Sequence, residues 1–134
     1  MADVASGPKE TILAVEDDED LQSFLKLHLE AEGYAVEQAL TAQEAIASIT
    51  NKRIDLVLLD LGLPDEDGLL VAEQIRNFSS VPIIVASART RVDDRLAALG
   101  LGADDYVTKP FDPRELVLRI RNIISRSADA KDQG

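Results

Sequence analysis

Cysteine is absent from the 134 residues, which removes a disulfide framework, a thiolate metal site and a cysteine nucleophile together. Basic residues are the scarcer charge: 14 Lys and Arg against 25 Asp and Glu leave a net charge of −11. That balance argues against a surface for nucleic acid, since nothing here could neutralise a run of phosphates. It suits a protein that attracts cations or basic partner surfaces. No apolar stretch approaches the ~20 residues needed to cross a bilayer, and the N-terminus lacks a basic-then-apolar signal, so the expected compartment is the cytoplasm. What is present is ordinary globular composition, 46% hydrophobic and 29% charged. The length fits one domain able to bury roughly two-thirds of its unfolded surface.

Residues 1–10 carry Gly, Pro and Ser without periodicity and read as a flexible lead-in. The small, polar stretch from Ser125 reads as a tail. Between them, apolar runs of strand length alternate with amphipathic segments of helix length. The runs are 11–15 (TILAV), 54–59 (IDLVLL), 82–86 (PIIVA) and the short 105–108 (DYVT). Near-continuous apolarity in the first three is the pattern of strands buried on both faces of a parallel sheet. The run 34–39 (YAVEQA) is more mixed, as an edge strand would be. Helix ends are marked by Asp18 and Gly33 around Leu21, Phe24, Leu25 and Leu29, and by a Thr41/Glu44 capping box. Asp67-Gly68 opens the next helix, Thr90 caps a segment closed by Gly100 and Gly102, and Asp112-Pro113 with Glu115 opens the last. Five strand–helix units with short connections specify an α/β domain with right-handed crossovers.

In open parallel sheets, sites form just beyond the carboxyl ends of the strands. Those ends carry Glu16-Asp17, Asp60, Ser87 and Lys109. Three carboxylates brought within a few Å raise one another's pKa unless compensated. A hard divalent cation resolves the conflict, and Mg²⁺ suits few protein carboxylates plus water. A lysine and a small hydroxyl beside that metal can hold a tetrahedral anion, so the constellation fits a phosphoryl group.

The chain resembles the receiver domain of bacterial two-component response regulators over essentially all of residues 11–126. The resemblance rests on ILAVEDD at 12–18, DLVLLDL at 55–61, PDEDG at 64–68 and TKPF at 108–111, in order and at receiver spacing. It implies a flavodoxin-like five-stranded parallel sheet of order 2-1-3-4-5 flanked by five helices. It implies Asp60 as phospho-acceptor, and Asp17, Glu16 (through water), Asp60 and the Gly62 main-chain carbonyl around Mg²⁺, with Mn²⁺ as a substitute. Lys109, before a cis Pro110, is expected to pair with Asp60 before reaction and with a phosphoryl oxygen after it. Ser87 resembles the switch hydroxyl and Tyr106 the switch aromatic. Asp18, Glu19 and Asp20 are left to helix capping. His28, alone in mid-helix, is rejected as a site.

The implied donor is a phosphohistidine on a sensor histidine kinase or phosphotransfer protein, or a small acyl phosphate. The segment 93–120 resembles regulators with a winged-helix output domain, in which this face forms a symmetric dimer. Carried over, the resemblance pairs Arg95 with Glu115 and Asp105 with Arg119 across the two-fold axis. No output domain follows residue 126, so the chain reads as a stand-alone receiver or as a piece of a longer transcription factor whose linker begins at 127–134. Three rivals share parts of this pattern, one being a degenerate receiver that serves only as a binding module, against which every expected site position is filled. A flavodoxin-type carrier needs a phosphate-cradling loop where Glu16 to Asp20 stand. An Asp-x-Asp phosphatase carries its nucleophile after the first strand, not after the third.

Overall fold

The computed structural model describes residues 9–133, with side chains described through Ser127. Residues 1–8 of the lead-in lie outside the described residues, and Lys9 and Glu10 are exposed and irregular. The elements alternate strictly: β1 (Thr11–Val15), α1 (Glu19–Ala31), β2 (Ala35–Ala39), α2 (Ala42–Asn51), β3 (Leu56–Leu59), α3 (Gly68–Arg76), β4 (Ile83–Ser87), α4 (Val92–Gly100), β5 (Asp105–Thr108) and α5 (Pro113–Gln133). All four ladders are parallel and the sheet order is β2-β1-β3-β4-β5. The flavodoxin-like order expected from the resemblance is the observed one.

Two cores follow from strand alternation. Leu13, Val15, Val57, Leu59, Ile83, Val85 and Tyr106 face α2, α3 and α4, meeting Ala45, Val71, Ala72, Ile75 and Ala98. Ile12, Ala14, Leu56, Leu58, Ile84, Ala86 and Val107 face α1 and α5, meeting Leu25, Leu29, Leu116 and Ile120. Because β1, β3 and β4 are covered on both sides, their sequences are near-continuously apolar, broken only by Thr11 at the start of β1 and Ser87 at the end of β4, rather than apolar at alternate positions.

The helix starts show which local signals hold. Asp18 accepts from the amides of Asp20 and Leu21 and caps α1, while Gly33, at φ +96°, ends it. Thr41 Oγ1 accepts from Glu44 N, and Glu44 Oε1 reaches back to Leu40 N. The N-terminal amides of Ala42 and Gln43 donate instead to Asp65, from the loop after β3. All three otherwise orphaned amides of α2 are thereby satisfied.

Thr90 does not cap α4. The helix starts one residue later, its N-cap position falls to Arg91, which makes no side-chain capping bond, and Asp93 and Asp94 complement the dipole from the first turn. At α5, Asp112 accepts from Arg114 N, but Glu115 turns away to Arg119, so only half of the expected box forms. That helix continues to Gln133, through the segment read as a tail, because nothing from Ser125 to Gln133 is Gly or Pro. Phe24, assigned to the buried stripe of α1, is exposed, and Gln22 occupies that stripe instead.

Candidate functional site

Register delivers the acids to one rim. The β1–β3 ladder ends at Val15↔Leu59, with Asp60 N donating to Val15 O at 3.0 Å, so Glu16 and Asp60 leave the sheet side by side. The β4–β5 ladder ends at Ser87↔Thr108, and Lys109 N donates to Ser87 O at 2.8 Å. Glu16, Asp17 and Asp60 each place a carboxylate oxygen within 4.8 Å of the others; Glu16 and Asp60 are buried and Asp17 is exposed. Oxygens sharing one Mg²⁺ lie at most about 4.2 Å apart, since each is about 2.1 Å from the ion. With Asp17 and Asp60 as direct ligands and Glu16 reached through water, at most a small contraction is needed, so the residues present fit the metal. Gly62 stands at the edge of the set: a Cβ there would lie 3.7 Å from Asp60 Oδ2.

Lys109 bridges two of the three acids. Its Nζ is 2.6 Å from Glu16 Oε1 and 3.3 Å from Asp60 Oδ1. The expected partnership with Asp60 is present, but the shorter contact is to Glu16, which the sequence reading assigned only to the metal. Burial raises the pKa of Glu16 against the opposing bonds from Lys109 and from the Asp18 amide. Burial also works against the Lys109 ammonium, but Glu16 and Asp60 outweigh it and its pKa is raised.

The switch candidates meet at a single residue. Ser87 is buried, and its Oγ accepts from Arg89 N at 3.1 Å. Tyr106 is turned inward, and its hydroxyl donates to Arg89 O at 2.8 Å. Arg89 then reaches across to Asp67, with Nη2 3.2 Å from Oδ2, tying the loop after β4 to the loop after β3. Gly68 makes the second of those loops possible, because a Cβ there would lie 2.5 Å from Leu61 Cα and 2.6 Å from Asp60 O.

The candidate interface residues lie on α4 (Arg95), β5 (Asp105) and α5 (Glu115, Arg119). Arg119 binds both Asp105 and Glu115 at 2.8 Å within one chain. Arg95 is exposed and makes no ion pair among the described residues. His28 packs against Phe24, 4.4 Å between ring centroids, away from the acidic rim. The sequence reading missed Gln22, Asp65 and the Arg89–Asp67 pair. Of these, only Gln22 left a signal, as a polar residue three before Leu25 and seven before Leu29 on a buried stripe.

The family model described as the response regulator receiver domain matches residues 12–121. The chain belongs to the receiver-domain family of response regulators. This receiver is 44% identical over 115 residues to the KDP operon transcriptional regulatory protein KdpE of Escherichia coli K12, covering 86% of this chain and 51% of that protein. It is 49% identical over 117 residues to the transcriptional regulatory protein PmrA of Pectobacterium parmentieri, covering 87% and 53%. The receiver thus spans about half the length of the curated relatives it matches. Among solved structures, a CheY-like receiver domain from Methanospirillum hungatei superposes with a TM-score of 0.87 at 32% identity, over 92% of this chain and 99% of that one. The receiver domain of the TMAO respiratory regulator TorR gives 0.83 at 40% identity, over 87% and 98%. Among the described residues, no helix of this receiver is long and apolar enough to cross a membrane.

Proposed function

We propose that residues 11–126 form a phosphorylation switch whose acceptor is Asp60. One carboxylate oxygen of Asp60 attacks phosphorus in line; the P–N bond of a phosphohistidine, or the P–O bond of a small acyl phosphate, breaks and the leaving group departs with its electron pair. Positioning and neutralisation of charge do most of the work in such a transfer. Mg²⁺, or Mn²⁺, held by Asp17, Asp60, the Gly62 carbonyl and, through water, Glu16, would supply part of that neutralisation. Lys109 supplies the rest by passing from Asp60 to a phosphoryl oxygen while keeping Glu16 as its second partner. The same groups assist slow hydrolysis of the product, so the domain promotes its own reactions without turning over a separate substrate.

The donor is a sensor histidine kinase or phosphotransfer protein. A groove lined by Leu21, Phe24, Ala88, Pro110 and Phe111 passes beside Lys109 and offers apolar footing for it. Output runs through Ser87 and Tyr106, both bonded to the main chain of Arg89, to the face of α4, β5 and α5. That face forms a homodimer after phosphorylation, in which Asp105, Glu115 and Arg119 exchange their internal pairs for intermolecular ones and Arg95 gains Glu115. The chain's similarity to transcriptional regulators over about half their length suits a receiver that controls a DNA-binding output in a longer protein.

The observation that carries this reading is the convergence of Lys109, Glu16, Asp17 and Asp60 from three separate strand ends. Incubation with acetyl phosphate and Mg²⁺ followed by intact-mass measurement is the test. One phosphoryl adduct is expected on the wild type and none on Asp60→Asn. An equal adduct on that variant, or none on the wild type, removes Asp60 as acceptor.

A further inference from the structure

Helix α1 buries three residues against the sheet: Leu25, Leu29 and the polar Gln22. The Gln22 side-chain nitrogen lies 2.8 Å from Ala14 O, 3.0 Å from Glu16 O and 3.1 Å from Ala39 O. Its two protons are thus shared among three carbonyls at the ends of β1 and β2. Its Oε1 is buried without a hydrogen-bond partner. A residue serving only to fill this stripe would be apolar, since an orphaned buried acceptor is unfavourable. The donor end therefore accounts for the amide.

The clamp acts next to the acidic rim. Ala39 O, one of its acceptors, also accepts from Glu16 N at 2.9 Å, so Gln22 and Glu16 close on the same carbonyl. Glu16 Oε2 in turn accepts from Asp18 N at 3.1 Å. Asp17 is thereby flanked by a carbonyl held from below by Gln22 and an amide held from above by Glu16. Its exposed carboxylate hangs from a main chain fixed on both sides.

We propose that Gln22 is a positioning residue for the cation site, its amide clamping the carbonyl ends of β1 and β2 so that Asp17 presents its carboxylate toward Glu16 and Asp60. The proposal rests on the reading of these three acids as a cation site. Residues that orient metal ligands from behind typically cost 10–100-fold in affinity when removed. The test is calorimetric titration of the full chain with Mg²⁺ alone, for wild type, Asp17→Asn and Gln22→Met, with the thermal midpoint of each recorded separately. Gln22→Met keeps shape and removes both donors, and about tenfold weaker Mg²⁺ binding is expected. Should it fail to fold, Gln22→Asn withdraws the amide by one methylene and is read the same way. Wild-type affinity in the folded variant, whatever its thermal midpoint, overturns the proposal, because a merely structural role moves the midpoint alone. A wild type that binds no Mg²⁺ removes the cation-site reading itself, and this proposal with it.

Discussion

Lys109 donates to Glu16 across 2.6 Å, a shorter contact than the 3.3 Å that separates it from Asp60. The ammonium is therefore held more closely by Glu16 than by Asp60, the proposed acceptor. Removing it leaves three carboxylates with no internal cation. Lys109→Gln should bind Mg²⁺ more tightly than the wild type, by about fivefold or ~1 kcal/mol for a partly buried charge partner. It should also take up phosphoryl groups from acetyl phosphate more slowly. Titration and intact-mass time courses measure the two effects, and weaker Mg²⁺ binding would contradict the arrangement.

Arg119 spends its guanidinium on two acids of its own chain, Asp105 and Glu115. These groups are partly exposed, so the internal fork contributes only ~0–1 kcal/mol to folding. Arg119→Glu should accordingly leave the unfolding midpoint nearly unchanged and phosphorylation of Asp60 intact. It should abolish a phosphorylation-dependent dimer by placing three acids together. Light scattering before and after acetyl phosphate treatment decides, and undiminished dimerisation would clear this face of the role.

Gly68 touches backbone where a side chain would begin. Gly68→Ala must push Leu61 and the Asp60 carbonyl aside, and overpacking of this kind costs about 1–3 kcal/mol. Denaturant unfolding should show that loss. Mg²⁺ affinity should fall with it, because the displaced carbonyl belongs to the residue carrying the third carboxylate.

Asp65 and Asp112 link stability to acid pH. The amides of Ala42 and Gln43 hold Asp65 below its ordinary value of 3.8, and Arg114 holds Asp112 at about 2. A carboxyl whose folded pKa is depressed contributes stability above its unfolded value, and that contribution is lost as pH falls through the folded one. Asp65→Asn and Asp112→Asn should therefore flatten the acid limb of the stability curve, below about pH 5. The pH dependence at neutrality should be unaltered. Thermal melts from pH 7 to pH 2 follow both arms, and a variant whose acid limb matches the wild type would show that its carboxylate carries no linkage.

What could be read in the sequence was whatever depends on neighbours along the chain. Asp18, Gly33 and the Asp67-Gly68 pair act within one turn, and the apolar runs of β1, β3 and β4 announce burial on both faces. The strand-end positions of Glu16, Asp17, Asp60 and Ser87 followed from those runs, and that of Lys109 from the short run of β5. The rest depends on partners distant in sequence. Asp65 caps a helix that starts 23 residues earlier, and Arg89 meets Asp67 across 22 positions. Gln22 stands on the buried stripe of α1, but the carbonyls it serves come from β1 and β2. A hydroxyl before a helix is a generic signal, and Thr90 lies one residue ahead of the N-cap position that Arg91 takes in α4.

The contact between Glu16 and Lys109 joins positions 93 apart, one at the close of the first strand and the other just past the last. A nascent chain that has emerged as far as β4 holds every acid of the rim and none of its ammonium. The charge balance of that rim is thus settled by the final strand, and a chain ending before it would keep the repulsion among the acids without the group that offsets it.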